Sequence, residues 1–273
     1  MFHEFFNEKY LLKPVNKKLR CISCGITNVK FNKEHLFPVW LIKKTKTNKT
    51  SIRWSNKKIS TMKATLPICI ECNKEFSKNL EKPVSKIFDD LEFSRGISDN
   101  EAELLVRWMW KTQGLAWCFN NSYDNYTHTY TLKERSLLPI NNIRGYILLA
   151  ISIINKIDSS FQDSPLGFDS TNELDCVFSA GVFSKIAIIV SLVNFEKYIP
   201  NNYSKYILFQ NRQKCGDMKL FFPKVGFRIC TEAVFFTKKI SIILSKEHDN
   251  LVRELNLEKI SFFGTKVKFS KLK

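Results

Sequence analysis

Glycine and proline are scarce, 9 and 8 of 273 residues, which excludes collagen-like and linker-rich classes. No apolar run is long enough to span a bilayer. The best candidate, Ile186 to Val193, follows Lys185, is interrupted by Ser191, and reads as a core strand. The opening residues, MFHEFFNEKYLLKP, mix acids with bases and lack a small-residue cleavage site, so no signal peptide is expected. The expected location is the cytoplasm, with no membrane partner. In a reducing compartment the eight cysteines are not expected to form a disulfide framework. No repeat of 20–50 residues and no low-complexity tract beyond one Lys-rich segment is present.

Charge is present, and unevenly so. Hydrophobic residues make up 44% and charged residues 25%, ordinary values for a chain with a real core. The length fits one large domain or two modest ones. The net charge is +17. Residues 1–90 hold 19 basic and 8 acidic side chains, net +11, and residues 91–273 hold 24 and 18, net +6. A third of the chain carries most of the excess, which points to a polyanionic partner, nucleic acid first. Codon bias explains why Lys outnumbers Arg; it explains the local concentration less well.

Along the chain, Phe2 to Leu12 is an aromatic-rich lead-in. Pro38 opens one helical turn over Val39–Ile42. Residues 43–65 contain eight basic residues and no acidic one and read as a loop. Leu66 to Ile70 reads as a short strand or turn. Phe76, Leu80, Val84, Ile87 and Leu91 give helical spacing from Asn73 to about Leu91, with a kink expected at Pro83. A domain boundary is expected near 92–98. A long helix is predicted over 98–119, opened by a capping box of Ser98 and Glu101. Beyond it, strands are predicted at Tyr146–Ile154, Cys176–Phe183, Ile186–Phe195, Tyr206–Gln210, Phe227–Phe236 and Ile240–Leu244, with turns at Pro200-Asn-Asn and Cys215-Gly-Asp.

Cys21-Ile-Ser-Cys24 and Cys69-Ile-Glu-Cys72 are two C-x-x-C pairs. In a reducing compartment that pairing points to one four-thiolate Zn²⁺ site. A closed set of four sulfurs leaves no open position, so this zinc is expected to be structural. The 44 residues between the pairs exceed the roughly 15–20 of an ordinary zinc ribbon. The insert contains Glu34-His35-Leu-Phe-Pro38.

Cys21/Cys24, Glu34-His35 and Cys69/Cys72-Asn73, in that order, resemble the HNH, or ββα-metal, nucleases, in particular the branch that includes the phage recombination endonuclease VII type. The likeness covers about residues 19–90. Leu80-Glu81 and the segment Arg107-Trp-Met-Trp-Lys111-Thr112 also look like parts of bacterial members. The resemblance implies a small zinc-stabilised ββα-metal domain over 1–95; with the helix and strands read above, the expected chain is α+β, that domain followed by a helix and a β-rich α+β domain over 96–273. It implies a metal-dependent endonuclease of DNA, duplex or branched, with RNA left open. His35 would be the general base, suited to neutral pH. Glu34 and Asn73 would be oxygen ligands to one catalytic Mg²⁺ or Mn²⁺. Family habit suggests anti-phage defence, restriction or a mobile element. A second copy or a regulatory protein is the other partner the reading leaves open.

The pattern departs from the family at its middle Asn, for which residues 61–65 offer none. The basic segment is expected to touch the nucleic-acid backbone through Lys43, Lys44, Lys46, Lys49, Lys57 and Lys58, with Arg53 and Trp54 as groove or stacking contacts. A bland reading stands beside each assignment: a structural His35, a surface Glu34, Asn73 as a helix N-cap, a solvated loop, and Trp108, Trp110 and Trp117 as core. The alternative of another class is a non-catalytic zinc knuckle that binds nucleic acid or protein.

Overall fold

The structure, a computed structural model, describes residues 19–54, 57–120, 131–138, 140, 144–157, 166–170, 178–208 and 220–254. The expected lead-in at Phe2–Leu12, the turn at Cys215-Gly-Asp, and Cys176 lie outside them, as do the side chains of Arg53, Trp54, Lys57 and Lys58.

Strand β1 (Phe31–His35) pairs antiparallel with β4 (Thr65–Cys69), Phe31 opposite Cys69 and His35 opposite Thr65. Between them lie helix α1 (Val39–Lys44) and a hairpin of β2 (Ser51–Trp54) and β3 (Lys57–Ser60). The basic segment expected as a loop is therefore the end of a helix and a hairpin, whose alternating Ile52 and Ile59 stand opposite each other across the ladder.

Helix α2 (Ile70–Phe76) follows β4 without a break. It begins ahead of Asn73, where it was expected, because the Cys69 sulfur accepts from the Cys72 N–H and caps it. The chain then makes a π-helical turn over Ser77–Glu81 and continues as α3 (Lys82–Glu92), with Pro83 in its first turn. Proline cannot donate to the carbonyl a turn back and crowds it; the wider turn absorbs that conflict. Ser94, at φ +58°, closes α3 at the expected boundary.

Helix α4 (Asp99–Asn120) begins as expected, with the Ser98 N–H donating to Glu101 at 2.7 Å and the Glu101 N–H to the Ser98 hydroxyl at 3.4 Å. A second box, Thr131 with Glu134, starts the short α5 (Leu132–Leu137).

The remaining strands form one sheet in the order β10 (Val225–Ile229), β5 (Ile147–Lys156), β8 (Ile186–Leu192), β7 (Phe178–Phe183), β6 (Leu166–Ser170). Strand β9 (Ser204–Ile207) pairs with the first half of β5, whose second half takes β10 in parallel. Gly226 on β10 lies against the Asn202 carbonyl, where a Cβ would come within 1.8 Å.

The reading of 227–236 as a strand holds only for Phe227–Ile229, the end of β10, and that of 240–244 is wrong. After β10 the chain forms α6, Cys230–Glu254. Its β-branched and aromatic residues favour strand locally. Its buried stripe, Cys230, Ala233, Thr237, Ile240, Ser241, Leu244 and His248, has helical spacing. Small side chains in that stripe let α6 lie close on the sheet, and tertiary packing overrides propensity. Every residue of β7 and β8 is buried, with α6 covering the sheet on one face and α3 with α4 on the other. The second part is thus a helix-covered mixed sheet, and the chain as a whole is mixed α+β. Buried residues form one continuous core across the expected boundary. Phe37, Trp40, Phe88, Trp108 and Phe183 meet edge to face or tilted, with Trp108 and Phe183 centroids 4.9 Å apart. They pin the ββα unit to the sheet. Trp108 and Trp110 are core, as the bland reading had it. No helix among the described residues is long and apolar enough to cross a membrane.

Candidate metal centre and the charge cluster beside it

Gly25 takes φ +75°, which lets its N–H return to the Cys21 carbonyl at 2.8 Å and brings Cys24 back toward Cys21. The Ile22 N–H donates to the Pro67 carbonyl at 3.0 Å, fastening this turn to β4. The second pair straddles the β4–α2 junction. The ligand atoms of Cys21, Cys24, Cys69 and Cys72 all lie within 4.8 Å of one another, Cys24 Sγ and Cys69 Sγ being 3.9 Å apart. A tetrahedron with Zn–S bonds of about 2.3 Å has edges of about 3.8 Å, so the four thiols fit one zinc ion.

Backbone donors support the sulfurs: Ser23 and Cys69 N–H groups point at Cys21 Sγ, at 3.4 and 3.2 Å. Burial pushes the Cys21 thiol up, but these donors outweigh it and bring it below the ordinary thiol value. Burial raises the Cys69 and Cys72 thiols; a bound cation offsets that cost. Helix α5 closes over the cluster, its Lys133 N–H donating to the Ser23 carbonyl at 3.3 Å and the Lys133 ammonium pairing with Glu75 at 2.6 Å.

The thiols sit at the Phe31–Cys69 end of the β1–β4 ladder, and Glu34 and His35 at the other. The two neighbours have different surroundings, as alternation along a strand requires. Glu34 is buried. Its Oε1 accepts from Lys111 Nζ at 2.6 Å, and the same ammonium meets Glu81 Oε1. Glu81 Oε2 accepts from Trp40 Nε1 at 2.9 Å. Lys111 also lies over the Phe76 ring, 5.0 Å from its centroid. Burial alone would push Lys111 toward neutrality, but the two carboxylates hold it charged well above the ordinary lysine range. Lys111 and Glu81 come from the two short segments noted for their likeness to bacterial nucleases. Their meeting with Glu34 had no sequence signal, because the partners lie 77 and 30 residues from Lys111.

His35 is half-buried. Burial lowers its pKa below the usual 6.5, against the opposing pull of Glu34 and of a hydrogen bond to the Met62 carbonyl. Met62 lies in the segment 61–65, which carries no Asn. Asn73 lies at the end of the first turn of α2, the helix that packs on β1 and β4.

The basic residues divide. Lys43, Lys46 and Lys49 are exposed. Lys44 is held inside the chain by Asp89 and Glu92, at 2.6 and 3.0 Å. Burial opposes its charge, but the two carboxylates raise its pKa. Arg53 faces Lys58, and Trp54 faces Lys57, in the backbone register of the hairpin. Comparison with family models, with curated proteins and with solved structures finds no match to this chain.

Proposed function

We propose that the chain is a zinc-stabilised, metal-dependent HNH endonuclease that hydrolyses DNA phosphodiester bonds in the cytoplasm. The observation that carries this reading is the order strand, strand, helix: Glu34-His35 end β1, β4 runs back beside it, and α2 starts at once with Cys72-Asn73 in its first turn. His35 takes a proton from the attacking water, held for that task by the Met62 carbonyl. Glu34 and Asn73 are hard oxygen donors that would hold one Mg²⁺ or Mn²⁺. Such a cation supplies charge stabilisation at the scissile phosphate and the leaving 3′-oxygen. Family resemblance adds 5′-phosphate and 3′-hydroxyl ends and a role in anti-phage defence, restriction or a mobile element. Exposed Lys43, Lys46 and Lys49 supply sequence-independent backbone contacts.

The test is supercoiled plasmid with wild type or His35→Ala, in Mg²⁺, Mn²⁺ or EDTA. Wild type is expected to nick or linearise it only with metal, and His35→Ala to bind without cutting. Equal cutting by both, or none by either, sinks the reading. One observation favours the alternative, a non-catalytic zinc-knuckle module: Glu34 already has an intramolecular partner in Lys111. That alternative is left standing if both proteins bind DNA with the same salt dependence and neither cuts.

A further inference from the structure

We infer that Lys111 is a positioning residue for the proposed metal site, its ammonium pinning one oxygen of Glu34 so that the other is presented to the cation. The inference rests on the nuclease reading and deepens it. An ammonium beside a metal ligand can play two parts. It can fill the cation's place and keep it out, or it can be a permanent brace.

The geometry favours the brace. The Lys111 side chain is 1% exposed and lies within the 22-residue helix α4. Two carboxylates and the face of Phe76 enclose its ammonium. Glu81 is itself held by Trp40. Nothing in that cage lets the ammonium swing out to make room. Among the described residues only Glu34 Oε1 is engaged, and the Glu34 side chain keeps 11% of its surface open. Glu34 is thus held through one oxygen while part of its side chain remains open to solvent.

Glu81 completes the argument. A Lys–Glu pair alone is neutral and offers a divalent cation little. The second carboxylate leaves the cluster with a net charge of −1, so the brace does not cancel the charge of the ligand it supports. Carboxylate ligands to metals are ordinarily fixed by such outer partners.

The two parts predict opposite signs. If the ammonium merely repels the cation, removing it tightens binding; if it is a brace, removing it loosens binding. Full-length, zinc-loaded protein is titrated with Mn²⁺, and free Mn²⁺ is followed by its electron paramagnetic resonance signal. The deciding variant is Lys111→Met with Glu81→Leu, which keeps the net charge at −1 and replaces a buried ion pair with apolar groups, a change folds often tolerate.

Wild type is expected to bind one Mn²⁺, Glu34→Gln to lose it, and the double variant to bind about tenfold more weakly or worse. Binding by the double variant equal to or tighter than wild type overturns the brace while the nuclease reading stands. If circular dichroism shows that the double variant does not fold, Lys111→Gln with Glu81→Gln, which also keeps the net charge at −1, decides by the same sign. Wild type that neither binds Mn²⁺ nor cuts plasmid brings down the nuclease reading, and the brace with it, which is a different result from the first.

Discussion

Strands β7 and β8 bury every residue, whereas β1, a strand of similar length, buries one of five. The sheet around β5, β7 and β8 is held by apolar area, with α6 on one face and α3 and α4 on the other. The β1–β4 ladder has two strands, and a two-stranded ladder is marginal in water. It is fastened at its ends instead: four thiols at the Phe31–Cys69 end, and the Glu34–Lys111–Glu81 cluster near the other. One chain thus uses two means of fixing strands. The unit held by sulfur and charge is also the one that carries the candidate chemistry. Sites need polar groups at fixed positions, and an apolar sandwich has no room for them.

The largest effect that can break this comparison is metal removal. Structural zinc contributes about 10–16 kcal/mol to small metal-folded units. A strong chelator, or Cys72→Ala, is expected to open residues 19–92 to trypsin while β5, β7 and β8 keep their amide-exchange protection. If the sheet opens with them, the two regions are one cooperative unit and the contrast fails.

A smaller effect is expected at the joint. Trp108 is fully buried between Trp40, Phe88 and Phe183. Trp108→Ala is expected to cost about 3–5 kcal/mol, read from denaturant unfolding, and to release the ββα unit from the sheet without releasing zinc.

The smallest test concerns α5, which fastens the Cys21–Cys24 turn to the rest. Hydrogen bonds from the Thr131 backbone and hydroxyl hold Glu134 below the ordinary carboxylate value of 4.5. A depressed carboxylate stabilises the fold above its unfolded pKa and ceases to do so as pH falls through its folded one. The gap in melting temperature between wild type and Glu134→Gln is therefore expected to be open at pH 6 and to close below pH 4.5. Thr131→Ala is expected to cost about 1 kcal/mol. A gap that does not change with pH would remove the charge from this account and leave only the cap.

What could be read from sequence follows the range of the interactions. The start of α4 was legible because Ser98 and Glu101 are neighbours, and the thiol set because the two cysteines of each pair lie three residues apart. Helix α6 was not legible. Val234, Phe235, Phe236, Ile240, Ile242 and Ile243 favour strand, and the face it buries is marked by the small or polar Ala233, Thr237 and Ser241, which add little to a hydrophobic pattern. Strand β6 is short and takes its identity from its neighbours, and β10 was legible only over Phe227–Ile229. Of the candidate site, Glu34, His35 and Asn73 were visible as a pattern. Lys111 was not, since its meaning comes from two partners far away in the chain. The Met62 carbonyl has no side-chain signature at all.

The π-helical turn at Ser77–Glu81 has a consequence for rotational phase. Each residue in a helix advances the next by about 100°, so one residue more or less in that turn would swing Glu81 to a different side of the helix from Lys111 and Trp40. Pro83, directly after, prevents the extra residue from migrating further along α3. Glu81 is therefore aimed by the count of residues between Phe76 and Pro83 as much as by its identity. A deletion there would unmake the charge cluster while leaving every one of its side chains in the sequence.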